Sequence, residues 1–120
     1  MIKSYRDLIV WTRSIELVKA IYKLTDNFPK SESYGLTSQM RRAAISISSN
    51  IAEGKARGTR KDYRHFLLNA FGSGAELETQ LTIAKELQFA LENEVKVSEN
   101  LLTEVMKMLN ALIFNLKPNT

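Results

Sequence analysis

Apolar residues recur every three or four positions along almost the whole chain, which is the spacing of one face of an α-helix. The N-terminal segment carries two such stripes, one formed by Leu8, Trp11, Ile15, Val18 and Tyr22 and the other by Val10, Leu17, Ile21, Leu24 and Phe28. The next three segments are represented by Met40, Ala44, Ile47 and Ile51, then by Phe66, Leu67, Ala70, Leu77 and Leu81, and last by Leu102, Val105, Leu109, Leu112 and Leu116. The pattern predicts four helices, over about residues 5–26, 37–54, 59–88 and 93–116.

Capping residues and helix breakers support these boundaries. Candidate N-terminal caps are Ser4 with Asp7, then Thr37 or Ser38, and then Thr59 with Asp62. Proline at position 29 stops the first helix, and Gly54–Gly58 is expected to form a short basic loop. Four amphipathic helices joined by short loops predict an all-α, up-down-up-down four-helix bundle in a single domain spanning residues 1–120.

Composition excludes several classes of protein. The 120 residues contain no cysteine, which rules out a disulfide scaffold, a thiolate metal site and a cysteine nucleophile. His65 is the single histidine, whereas a di-iron bundle takes a Glu-x-x-His motif from each of two helices. No apolar run is long enough to span a bilayer. We therefore expect a cytoplasmic, non-enzymatic protein without cofactor, metal or membrane contact.

The positive charge is concentrated in one segment. The chain has a net charge of +4, but residues 41–64 alone have a net charge of +5. The basic side chains of this segment are Arg41, Arg42, Lys55, Arg57, Arg60, Lys61 and Arg64. Arg60 and Arg64 are four residues apart, as are Arg57 and Lys61, so both pairs are expected to point outward. Such clustering indicates a polyanion such as RNA or DNA, although a solvated helical face would show the same pattern.

Polar side chains interrupt the apolar pattern of the second and third helices. The set comprises Ser46, Asn50, Glu53, Ser73 and Glu76. We interpret these residues as a structural network between facing helices, in preference to a catalytic or metal site. Gly72 and Gly74 are expected to allow close approach of the second helix through its small residues, Ala43, Ala44 and Ser48.

The run Gln39–Gly54, read as QMRRAAISISSNIAEG, carries a family resemblance. Supporting matches are Tyr34-Gly35-Leu36-Thr37 and Gly72-Ser73 leading to Glu76-Leu77-Glu78. The chain, over about residues 5–90, resembles the four-helix-bundle proteins encoded within intervening sequences of bacterial large-subunit ribosomal RNA genes. That family is similar to the accessory variability determinant protein of diversity-generating retroelements, which forms a basic pentamer and binds nucleic acid and a reverse transcriptase.

The resemblance implies a homopentameric ring. Surplus apolar surface on the first helix, together with Leu101, Met106, Met108 and Ile113 on the fourth, supports an oligomer independently. Two hypotheses follow from this chain. It is an oligomeric bundle that binds the RNA or DNA backbone through its basic segment, or a scaffold that docks a protein partner such as a reverse transcriptase without direct nucleic-acid binding.

Overall fold

Four α-helices make up most of the computed structural model, which describes residues 4–118. They are α1 (Ile9–Thr25), α2 (Leu36–Arg57), α3 (Arg60–Glu86) and α4 (Glu92–Asn115). Residues 4–118 contain no β-strand, and none of their helices is long and apolar enough to cross a membrane. The predicted all-α class with four helices is confirmed.

The start of α1 differs from the prediction. Ser4 and Asp7 do form a capping box, but it begins a single 3-10 turn over Tyr5–Asp7 rather than the α-helix. Leu8 then adopts an extended conformation, and the α-helix starts at Ile9. The local capping signal was therefore correct, whereas the element that follows it is shorter than expected.

Both boundaries of α2 also differ from the prediction. The helix starts at Leu36, one residue before Thr37, and the backbone N–H of Leu36 donates to Glu32 Oε1 at 3.1 Å. At the other end α2 continues through Gly54 to Arg57, so most of the predicted Gly54–Gly58 loop is helical. The chain turns only at Gly58, whose φ of 84° lies in the left-handed region that glycine tolerates.

The turn between α3 and α4 has a defined geometry despite its lack of glycine and proline. Gln88 has a φ of 58°, and the N–H of Phe89 donates to the carbonyl of Ala84 at 3.0 Å. This is the Schellman arrangement, with glutamine in a position that usually holds glycine. The ring of Phe89 lies 5.6 Å from that of Phe28, which ties this turn to the α1–α2 connection.

Each helix packs against two neighbours, and sequential helices are antiparallel. Ser14 on α1 bonds Ser48 on α2, and Lys85 on α3 pairs with Glu99 on α4. Arg13 on α1 pairs with Glu104, so α4 also lies beside α1 and closes the bundle. The bundle measures 47 by 25 by 23 Å.

The two apolar stripes of α1 have different roles. The stripe containing Leu17 and Ile21 is buried, whereas Trp11, Ile15 and Val18 of the other stripe are half-buried. The surplus expected on α4 is smaller than predicted, because Ile113 belongs to the core and Met106 and Met108 pack against it. The remaining exposed apolar surface is therefore spread over several faces.

The glycines of α3 do not pack against the small residues of α2 as expected. A Cβ atom on Gly74 would collide with Met106 Sδ, so Gly74 makes room for a side chain of α4. Gly72 faces open space. The close approach between α2 and α3 occurs instead at Gly54, where an added Cβ would lie 2.7 Å from Phe66 Cβ.

Candidate nucleic-acid interface

The seven basic residues predicted as a binding segment fall into two groups in the structure. Arg41 and Arg42 lie in the N-terminal half of α2. The remaining five, Lys55, Arg57, Arg60, Lys61 and Arg64, surround the α2–α3 turn and are called the basic end. Arg42 and Arg57 are about 22 Å apart along α2, given a helical rise of 1.5 Å per residue. The seven residues therefore do not form one surface.

Arg41 has a structural role. Its Nε donates to Thr25 Oγ1 at 2.9 Å, and its Nη2 pairs with Asp26 Oδ1 at 3.0 Å. The guanidinium also lies 4.4 Å from the centre of the Tyr22 ring. These contacts hold the end of α1 against α2, and the charge of Arg41 is neutralised by Asp26.

Arg57 is likewise neutralised. Its Nη2 pairs with Glu53 Oε2 at 2.9 Å, one helical turn away, and its guanidinium lies 4.9 Å from the Phe66 ring centre. Arg57 ends α2 whereas Lys61 is in the first turn of α3; both are exposed, as predicted, but they belong to different helices. Lys55 contacts the Tyr63 ring at 5.4 Å and has no carboxylate partner within the described part of the chain.

Arg60 and Arg64 bind the C-terminal end of α4. Arg60 Nη2 donates to the carbonyl of Asn115 at 3.2 Å, and Arg64 Nε donates to that of Ile113 at 3.3 Å. The last turn of α4 has no basic residue of its own, so α3 supplies the cations that its terminal carbonyls favour. Arg60 is exposed as predicted and Arg64 is half-buried, and both side chains also bond α4, which the sequence did not predict. A carbonyl carries no net charge, so these two contacts do not offset the positive charge of either arginine.

A groove lies between these arginines and the end of α4. It has a volume of about 500 Å³ and is lined by Arg60, Lys61, Arg64, His65, Leu68, Leu116 and Pro118; we call it the end groove. Lys61 and His65 are exposed, and Lys61 forms no ion pair with any residue between positions 4 and 118. Charge counting along the chain found the cations but missed Leu68, whose only signal is its position outside the core stripe of α3.

The predicted polar network exists in part. Ser46 Oγ and Ser73 Oγ are 2.9 Å apart across α2 and α3, and Asn50 Nδ2 donates to the carbonyl and the hydroxyl oxygens of Ser46. Glu53 pairs with Arg57 instead, and Glu76 Oε2 accepts from Gln80 Nε2 at 3.4 Å. Both glutamates are exposed, so the interhelical network consists of the two serines and Asn50.

Arg42 lies in a second groove, at the α2–α3 seam. The groove has a volume of about 520 Å³, and Ser38, Gln39, Ser46, Glu76 and the fully exposed Tyr34 also line it. Because Glu76 contributes a carboxylate to the same groove, this surface is of mixed charge and is a weaker phosphate site than the basic end.

Burial affects one ionisable group beside the basic end. The Tyr63 hydroxyl is buried and has no hydrogen-bond partner within residues 4–118, and this burial raises the pKa of Tyr63. Those residues also contain no group of three or more His, Cys, Asp or Glu side chains that could hold a metal ion.

Together these contacts define an antiparallel four-helix bundle with cations gathered at one end. The chain belongs to the 23S rRNA-intervening sequence protein family, whose sequence model matches residues 6–111. The resemblance identified from the Gln39–Gly54 run is thereby confirmed at the level of this family.

A solved structure supports the same placement. A protein with unknown function from the S23 ribosomal protein family of Bacteroides thetaiotaomicron VPI-5482 superposes with a TM-score of 0.79 at 25% identity. The match covers 88% of this chain and 98% of the other. No curated protein matches the chain.

Proposed function

We propose that the protein is a non-enzymatic bundle that binds the phosphate backbone of RNA or DNA at its basic end. The observation that carries the proposal is the end groove, where Arg60, Lys61 and Arg64 lie together without a carboxylate partner among the described residues. Arg41 and Arg57 are left out, because Asp26 and Glu53 neutralise them. Phosphate contacts of this kind fix position and carry no direct sequence information.

The dependence of binding on salt tests this proposal. Three phosphate contacts predict a slope of log K against log salt of about −2.7 on duplex DNA and about −2.1 on a single strand. Fluorescence anisotropy of labelled oligonucleotides of several sequences, each titrated at a series of salt concentrations, measures the slope. Affinity should vary little among sequences. Absence of salt-dependent binding to every nucleic acid near physiological ionic strength would refute the proposal.

We also propose that the protein assembles into a homo-oligomer, with a ring of five as the expected form. Exposed large apolar side chains on α1 and α4 support an interface, among them Ile9, Val97 and Phe114. The number five rests on the likeness to the retroelement protein. The family match does not include that protein, so the pentamer stays a prediction. A ring would repeat the basic end and raise avidity for a long strand.

Sedimentation equilibrium tests the assembly. The proposal predicts a single species of five times the 13.6 kDa chain mass at micromolar concentration. A stable monomer would contradict both the interface and the ring. A dimer would keep the interface and remove the pentamer.

A scaffold that docks a partner protein, such as a reverse transcriptase, is the second candidate function. The half-buried stripe Trp11, Ile15 and Val18 on α1 and the exposed Ile45 of α2 favour it, because aromatic and aliphatic side chains at a surface are typical of protein interfaces. Substituting Ile45 with glutamine should weaken partner or subunit binding and leave nucleic-acid affinity per protomer unchanged. Unchanged partner and subunit binding would contradict a scaffold role for this surface.

A further inference from the structure

The end groove combines a cationic surface with an apolar one, and a site that binds only phosphate needs the cationic surface alone. Arg60, Lys61 and Arg64 provide the charge. Leu68, Leu116 and Pro118 provide apolar surface in the same groove, and Leu68 is 44% exposed. Phosphate contacts account for the cations alone, so the apolar part has no role in backbone binding.

Two of the cations are held in place by the bundle itself. Arg60 and Arg64 each donate one hydrogen bond to a carbonyl of α4, Arg60 to that of Asn115 and Arg64 to that of Ile113. A guanidinium has five N–H donors, so most of them stay available for an anion. Because the α4 contacts restrict both side chains beforehand, less conformational entropy is lost when a phosphate binds.

We infer that the end groove takes an unpaired base of a single-stranded nucleic acid while its cations contact the flanking phosphates. This inference rests on the proposed function and names its substrate class. A base in a duplex is stacked on both faces and presents only its edges, so it cannot cover an apolar surface. An unstacked base of a single strand offers a whole face, and side chains that pack against such faces bind with little sequence preference.

The groove is suited to this task in its chemistry. Leu68 and Leu116 would pack against the face of the base, and the exposed His65 ring, next to Leu68 in the lining, would pack beside it. The three cations match the negative charge of the strand on both sides of the seated base. An acidic peptide would satisfy the cations through its carboxylates, but it would supply a flat face only if it also carried an aromatic side chain.

Comparing single and double strands separates this inference from the proposed function. Electrostatics alone favours the duplex, whose charge density and salt slope are larger. A base site reverses this order, because only an unpaired base can fill it. A labelled oligouridylate strand should then bind about tenfold more tightly than an RNA duplex of the same length at equal salt. Inorganic polyphosphate, which has the charge but no bases, should compete poorly with the single strand.

A matched pair of variants on α3 locates the effect. Leu68→Gln should lower oligouridylate affinity about fivefold and leave duplex affinity unchanged, since it removes apolar surface and no charge. Ile83→Gln is the control, because Ile83 is 42% exposed on the same helix, about 22 Å further along. It should change neither affinity, and unchanged duplex binding by Leu68→Gln reports that this variant is folded.

Each outcome has a distinct meaning. Equal binding of single strand and duplex, or undiminished oligouridylate binding by Leu68→Gln, would overturn the base site and leave backbone binding intact. Equally strong competition by polyphosphate would do the same. If neither nucleic acid binds in a salt-dependent way, the proposed function fails, and the base site fails with it.

Discussion

The Gly54→Ala variant is expected to be about 2 kcal/mol less stable than the wild type. Gly54 lies inside α2 where that helix crosses α3, and an added Cβ would be 2.7 Å from Phe66 Cβ and 3.3 Å from the backbone oxygen of Tyr63. Neither atom can rotate away, because one is attached directly to the backbone and the other belongs to it. The two helices would have to separate locally, at a cost of about 3 kcal/mol, which outweighs the gain of about 1 kcal/mol that alanine brings to a helix.

Gly72→Ala is the control, and its effect should have the opposite sign. Gly72 is also inside a helix, but nothing lies within 4 Å of its would-be Cβ, so only the gain in helix propensity of about 1 kcal/mol remains. Urea unfolding followed by circular dichroism, at one protomer concentration for all variants, measures both changes. If both variants shift stability in the same direction, the close packing of α2 on α3 at Gly54 is wrong.

The helices could be predicted from the sequence because their signal is local. An amphipathic helix repeats its apolar face every 3.6 residues whatever it packs against, so four periodic segments predict four helices. The prediction was wrong where a distant contact decides the outcome. Gly54 looks like a helix end in sequence, yet its packing on Phe66 keeps it within α2.

The candidate site could be predicted only in part, for a related reason. The sequence gives the number of cations in residues 41–64 but not their partners. Arg57 and Arg64 look alike in sequence, yet the first meets the carboxylate of Glu53 and the second meets the carbonyl of Ile113. The charge of Arg57 is offset by a residue of its own helix, whereas the position of Arg64 depends on α4, a helix about fifty residues away in the chain.

The polar network shows the same limit. Ser46, Asn50 and Ser73 were correctly placed between α2 and α3, because their positions fall beside the apolar stripes of both helices. Glu53 and Glu76 also lie beside the apolar stripes in sequence, but both side chains are exposed in the structure. A carboxylate is costly to bury without a partner, and each has a neighbour one turn along its own helix to bond instead.

Reversing a single charge at the basic end tests the central claim most directly. Lys61 is the suitable position, because it is exposed, forms no ion pair within residues 4–118, and lies in the first turn of α3, where a glutamate is well tolerated. Lys30→Glu changes the net charge equally. It lies in the α1–α2 connection at the opposite end of a bundle 47 Å long, which far exceeds the screening length of about 8 Å at physiological salt.

The measurement is the affinity of both variants for one labelled oligouridylate, by anisotropy at about 0.1 M salt. The account predicts that Lys61→Glu binds about fivefold more weakly than the wild type, since one lost phosphate contact on a single strand lowers log K by about 0.7 at that salt concentration. Lys30→Glu should bind within about twofold of the wild type. Equal losses in both variants would mean that only net charge matters, and no loss in either would mean that the basic end does not contact nucleic acid.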